Sequence, residues 1–312
     1  MYIKNISGLW KRMKKCWILY LIMLIPFCSV ILFNYAPMYG VQIAFRNYSP
    51  ARGISGSPWI GMTHFIKFIT SFNFGLVVKN TLRLSLLSLL CGPPLAVAFA
   101  LMLNTVRKLR LKKFIQTVTY APNFISIVVL VGMLNMFFSP AAGLYGSIYK
   151  LLNNGRLPPT IMGVANTFVP TYILSGVWQG LGFSSIIYLA ALSAVDIELH
   201  EAAVIDGATR LRRVFCIDIP AIIPTISITT ILAFGGIMNV GFEKVYLMQT
   251  SLNASYSEVI ATYIYKHGLQ GGISGFSYGA AIGLLNSVIN CVMLLLVNFA
   301  AKKLSQDGGS LF

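Results

Sequence analysis

Apolar side chains arrive in six long runs, at about 17–36, 76–103, 114–138, 170–194, 219–240 and 277–300, and polar residues fill the stretches between them. Each run approaches or exceeds the roughly 20 residues a helix needs to cross the hydrocarbon core of a bilayer. Backbone N–H and C=O groups find no water there, so a span has to pair them internally, and for separate apolar runs that means α-helix. The pattern predicts an all-α, polytopic membrane protein with six transmembrane helices. No internal repeat, low-complexity tract or separate soluble domain interrupts it.

The polar stretches are of two kinds. Residues 37–75 and 139–169 are rich in Gly, Pro, Ser, Asn and aromatics, and "SPAAGLYGSIYKLLNNGRLPP" (139–159) reads as a short surface helix between turns. "SYSEVIATYIYKH" (255–267) reads as an interfacial helix with tyrosine at the boundary. The other stretches are basic. Lys4, Lys11, Arg12, Lys14 and Lys15 precede the first run, and Arg107, Lys108, Arg110, Lys112 and Lys113 follow the second. Arg210, Arg212 and Arg213 follow the fourth run, and Lys302 and Lys303 follow the sixth. In a six-span chain all four segments fall on one side, which the positive-inside rule makes cytoplasmic, with both termini inside. The first run follows basic residues, as in a signal peptide, but the chain continues "NYAPMYG" with no small-x-small cleavage site. We read it as an uncleaved first helix.

Composition agrees with the pattern. The 312 residues are 56% hydrophobic and 10% charged, against about 45–50% and about 25% in soluble domains. The net charge of +16 would on its own suggest a nucleic-acid partner. The cytoplasmic loops account for it, so no nucleic acid is expected. Five scattered cysteines, three of them in apolar runs, give no metal site and no disulfide framework. No G-x-x-x-x-G-K-[ST] occurs and no catalytic constellation appears, so the chain reads as no enzyme, with no nucleotide site of its own.

One polar stretch breaks the rule of sparse charge. "EAAVIDGATRLRRVFCIDIPAIIP" (201–224) carries six charges in 24 residues. The preceding "VDIEL" continues into Glu201, Ala202 and Ala203 with helix formers and acids at the start, which complement the helix dipole. Gly207 suits the left-handed position after a helix end, and Thr209 suits an N-cap for a second short helix, "RLRRVFCI". Pro220 and Pro224 suit the start of the fifth span. The product is a helix–turn–helix lying on the cytoplasmic face over 195–216. A solvated linker would explain the charge but not the spacing. Glu201-Ala202-Ala203, Asp206-Gly207-Ala208, Phe215, Ile217, Pro220 and Pro224 closely resemble the EAA motif of binding-protein-dependent ABC importer permeases. Ile219 departs mildly from the leucine usual before the first of those prolines.

The resemblance reaches most of the chain, through residues 33–65, "VVKNTLRLSL" (77–86), "YAPNFIS" (120–126), "VYLMQ" (245–249), and 257–284. These stretches are similar to permeases for oligosaccharides and polysaccharide fragments such as alginate or pectin. The resemblance implies a type I ABC importer permease fold, with 1–312 as one permease domain, a cytoplasmic tail at 1–16 and an ATPase-coupling loop at 195–216. It implies an ABC ATPase dimer carrying the ATP and magnesium, a second related permease, an extracytoplasmic binding protein that delivers a saccharide, and multi-pass residence among the lipids of the bacterial cytoplasmic membrane. Glu201, Ala202, Ala203, Asp206, Gly207, Ala208, Phe215, Pro220 and Pro224 would form the coupling site.

Sugars show both apolar C–H faces and hydroxyls, so the pathway candidates are aromatic, amide, hydroxyl and charged groups in or near the spans: Arg83, Asn123, Ser126, Trp178, Gln179, Asn239, Phe242, Glu243 and Asn286. Packing or internal pairing accounts for any one of them equally well. Gly275, Gly279 and Gly283, and Gly176 and Gly180, repeat at the small-xxx-small spacing of close helix contacts, within the chain or with a partner. The alternatives are a permease for a non-sugar solute and an ion-coupled carrier, the latter needing intramembrane acids that the spans almost entirely lack.

Overall fold

A computed structural model describes residues 15–272 and 275–304 of the chain. The described residues are helices and connecting turns, with one isolated antiparallel bridge between Arg46 and Trp59 and no strands. Lys4, Lys11, Arg12 and Lys14, on which part of the orientation argument rests, lie outside the described residues.

Five continuous helical rods are long and apolar enough to cross a bilayer: Trp17–Phe45, Phe74–Asn104, Ala165–Ser193, Arg210–Gly235 and Gly275–Lys303. The first begins as α1 (Trp17–Val30) and runs on through a π-turn (Ile31–Tyr35) and a 3-10 stretch (Ala36–Phe45), beyond the limit at 36 that hydropathy set. After a short α2 (Thr63–Ile69), α3 (Phe74–Asn104) supplies the second span. The third apolar run is not straight. α4 (Leu109–Tyr120) passes through a 3-10 turn at Ala121–Phe124 and meets α5 (Ile127–Phe137) at 98°. Pro122 opens the turn, Ile125 and Ser126 are extended, and Ser126 Oγ accepts from the Val129 N–H at 3.3 Å, which starts a new helix. The surface helix expected within 139–159 is α6 (Leu144–Leu152), ended by left-handed Asn154 and Gly155.

α7 (Ala165–Ser193) is the fourth span. α8 (Ile197–Ile205) and α9 (Arg210–Arg213) are the two helices of the charged stretch. α9 is no separate surface helix, however: through a π-turn at Val214–Asp218 it flows into α10 (Ile219–Gly235). Pro220 has no N–H to offer the preceding turn and its ring crowds the carbonyl there, so the chain widens into a π-turn where a regular helix would break. The fifth span therefore begins at Arg210 and ends at Gly235, where 219–240 was expected. An irregular passage leads to α11 (Phe242–Met248).

The interfacial helix expected at 255–267 is broken and buried. It consists of α12 (Ala254–Ser257), α13 (Ile260–Ile264) and a π-turn (Tyr265–Leu269), with Val259 extended and fully buried between them. Polar groups of the second span hold the break. Asn80 Nδ2 donates to the Ser255 and Glu258 carbonyls at 3.0 and 3.1 Å, and Thr81 Oγ1 accepts from the Ile260 N–H at 3.0 Å. α14 (Gly275–Leu304) closes the fold.

The core lies where α3 and α7 run side by side, with Leu84, Phe168, Val169 and Ile173 packed on Val240, Val245 and Val259. A second cluster joins Phe68, Ile237, Ile260 and Ile282. Near the cytoplasmic end, Ala96 and Ala100 admit Tyr188, Leu192 and Ile222. Gly275 and Gly279 pack within the chain, a Cβ on Gly279 falling 2.8 Å from the Gly268 backbone. The first span stands apart: every residue from Trp17 to Tyr39 is exposed, and contact with the body comes through Ala44, beside Phe65 and Ala281.

Candidate functional site

Two features combine residues that the sequence singled out. The first is the turn at 196–218. Asp196 Oδ1 accepts from the Glu198 N–H at 3.0 Å and starts α8. Gly207, at φ +75°, ends it. The Gly207 N–H donates to the Val204 carbonyl at 3.0 Å and the Ala208 N–H to that of Ala203 at 2.8 Å, the paired bonds of a Schellman motif. Thr209 Oγ1 accepts from the Arg212 N–H at 3.3 Å and starts α9. Caps and turn thus fix the shape of α8, and no residue in it is buried. Glu201, Ala202, Asp206, Pro220 and Pro224 are exposed, and Ala203 and Ala208 half-buried. Ile205, Leu211 and Phe215 are 86%, 71% and 65% exposed, and Ile197, Leu199 and Val204 stand out with them. One polar contact ties α8 inward, His200 Nε2 lying 3.3 Å from Oδ1 of buried Asp218 in the π-turn, an ion pair when the imidazole is protonated. Arg107, Arg210 and Arg213 line the 380 Å³ cavity beside that pair.

The second feature is a polar hollow in the bundle. α3, α7 and the passage after α10 border two adjoining, half-open cavities of about 320 and 300 Å³ that share Ser88, Tyr172 and Gly241. Gln179, Ser184 and Lys244 line the first, and Ser85 and Asn239 the second. Gly176 and Gly180 face the first cavity, so their small size opens space where close helix packing was one expectation. Gln179 Nε2 donates to the Ile125 carbonyl at 2.9 Å, tying α7 to the break in the third run. Asn239 Oδ1 accepts from Asn286 Nδ2 at 2.9 Å and from Asn290 Nδ2 at 3.1 Å, while Asn290 Oδ1 accepts from the Met238 N–H at 2.9 Å. Lys244, beyond the end of the fifth span, is 6% exposed. Its burial pushes the ammonium down to about 8.

The structure thus brings Gln179, Asn239 and, through Asn239, Asn286 to one hollow. The other candidates line neither cavity. Arg83 is exposed, over the Tyr256 ring at 5.0 Å. Phe242 packs on Tyr246 and Tyr265, with centroids 5.4 and 5.1 Å away, and Glu243 is exposed. Ser126 caps α5, and Asn123 sits half-buried in the turn before it. Trp178 is half-exposed and lines a separate apolar cavity of about 550 Å³ between α5 and α7. Sequence reasoning passed over Ser88, Tyr172 and Lys244. For Lys244 the spacing alone gave no signal. In the heptapeptide "FEKVYLM" it shares a helix face with Val245 and Met248, and that face is the buried one.

The family model for "Binding-protein-dependent transport system inner membrane component" matches residues 92–306. The protein LplB of Bacillus subtilis (strain 168) is 38% identical over 305 residues, covering 98% of this chain and 94% of that protein. The polygalacturonan/rhamnogalacturonan transport system permease protein YteP of the same strain is 40% identical over 288 residues, 92% of this chain and 88% of its own. Among solved structures, a chain of a bacterial ABC transporter involved in import of the acidic polysaccharide alginate superposes with TM-score 0.86 at 36% identity, covering 96% of this chain and all of that one. A second structure of the alginate transporter, in complex with alginate pentasaccharide-bound periplasmic protein, gives 0.85 at 36% identity.

Proposed function

The chain belongs to the family of binding-protein-dependent transport system inner membrane components, and on that premise we propose that it is one membrane subunit of an ABC importer for an oligosaccharide cut from a polysaccharide. The observation that carries this reading is the hollow between α3 and α7, lined by hydroxyl and amide groups in an otherwise apolar bundle. Such groups can exchange hydrogen bonds with sugar hydroxyls as a solute passes. The polysaccharide-linked relatives, similar over nearly the whole length, support the same solute class.

On this reading the 312 residues form a single permease domain, and an extracytoplasmic binding protein delivers the saccharide. A second, related permease supplies the other wall of the pathway, and an ATPase dimer supplies ATP and magnesium. The exposed apolar residues of 197–215 are the surface on which an ATPase subunit sits. Closure of the ATPases moves α8. The His200–Asp218 contact and the unbroken passage from α9 into α10 carry that movement into the fifth span, whose far end leads into the passage that walls the hollow. The test is purification and reconstitution. The chain should bring down an ATPase and a second permease, and proteoliposomes containing all of them with the binding protein should take up labelled oligosaccharide only with ATP. Uptake by this chain alone, driven by an ion gradient, would overturn the reading.

A further inference from the structure

We infer that Lys244 binds the carboxylate of an acidic saccharide in the hollow and selects uronate-bearing over neutral oligosaccharides. The inference rests on the saccharide reading above and adds a charge to it. Lys244 lies on the buried face of α11 with Val245 and Met248, and it lines the cavity of about 320 Å³, its Nζ beside Gly176 in the same wall. An ammonium taken out of water is costly unless an anion and hydrogen bonds replace the lost hydration. Here the replacement is incomplete. Nζ donates to the Tyr172 carbonyl at 2.9 Å and stands 4.7 Å from the centre of the Tyr172 ring. That accounts for one of three N–H donors.

No carboxylate lies within 4.0 Å of it among the described residues, where the ion pairs are His200–Asp218 and Lys266–Glu258. Glu243, its neighbour in sequence, is on the exposed face of α11. Glu258 is engaged by Lys266 at 2.6 Å. A methionine would fill the same space without the desolvation cost, so packing does not explain a lysine here. Gly176 adds to the case, because a Cβ on it would stand 3.2 Å from Nζ. The glycine leaves the ammonium its place at the cavity wall. Gln179, Ser88 and Ser184 line the same cavity and suit the hydroxyls of the sugar ring that carries the acid.

The test uses the complete reconstituted transporter with its binding protein, and a galacturonate oligosaccharide beside its methyl ester of equal length, each supplied already loaded on the binding protein. Wild-type vesicles should prefer the acid. K244Q should lower the acid-to-ester uptake ratio by about tenfold or more, the size expected when a hydrogen bond between charged groups is lost. G176A keeps the charge but crowds it, and should move the ratio the same way by less. ATPase and second permease should stay bound in both variants. A proportional fall for both sugars in K244Q, or loss of the second permease, would mean that Lys244 pairs within the assembly and would overturn the inference, as would an unchanged ratio. Failure of the wild type to import either sugar would remove the saccharide reading itself.

Discussion

The coupling turn and the hollow reverse each other's chemistry. At 197–215, apolar side chains stand exposed on a loop that is otherwise charged. Between α3 and α7, a lysine, two amides and several hydroxyls stand inside an apolar bundle. The exposed apolar groups are relieved by a protein surface that buries them, and the buried Lys244 by a polar solute that pairs with it. They are also held differently. α8 keeps its shape through caps and a left-handed turn, with no burial. The hollow keeps its shape through hydrogen bonds between elements distant in sequence, with Asn239 bonded to Asn286 and Asn290 of α14.

The largest effect should come from the turn. Gly207→Val forces a β-branched residue to φ +75°, where a side chain costs about 1–2 kcal/mol before the two Schellman bonds are disturbed. Transport by the reconstituted complex should drop to a small fraction of wild type through loss of ATPase association. Wild-type rates would show that the turn's shape does not matter. Next comes the contrast between packing and charge on the same face. Phe215→Ala should release the ATPase far more than Arg212→Ala does, with Glu201→Ala between them. A seated aromatic anchor is worth about 2 kcal/mol or more at an interface, an exposed ion pair about 0–1 kcal/mol. ATPase retained on the purified complex is the measurement, and the opposite order would make this face electrostatic. The smallest effect belongs to the hollow's wall. Asn239→Ala should raise the loaded-binding-protein concentration for half-maximal uptake by about 2- to 10-fold, the range of one ordinary hydrogen bond. ATPase retention should not change, and if it falls instead, the asparagine group braces the fold rather than lining the path.

Much of the span pattern was legible because hydropathy reports transfer into hydrocarbon, which depends on composition along a run. Direction within the run is another matter. The 98° break at 121–126 separates an amphipathic helix, Leu109–Tyr120, from an apolar one, Ile127–Phe137, and a hydropathy average over 114–138 merges the two; the signs of the break are Pro122 and the cap at Ser126. The burial of 255–267 was illegible for a different reason. It depends on Asn80 and Thr81, some 175 residues away in sequence, reaching the carbonyls and N–H groups of its break. At the coupling turn, Asp196, Gly207 and Thr209 act on neighbours within a few residues, so spacing sufficed. Lys244 needed the orientation of α11, which is set by the packing of Val245 and Met248 against α3 and α7.

The solitary first span bears on how the chain is made. Trp17–Phe45 lies ahead of the matched region that begins at residue 92, and among the described residues every one of its side chains as far as Tyr39 is exposed. It is apolar enough to cross a bilayer and exposed as far as Tyr39, so it can partition into the bilayer as a single helix. The later spans carry groups that are satisfied only by one another, such as Asn80 with Ser255 and Asn239 with Asn290, whose partners are translated much later. The expected consequence is two classes of span, a first that is stable in the bilayer alone and a later set whose polar groups are paired only once the last helix is in place.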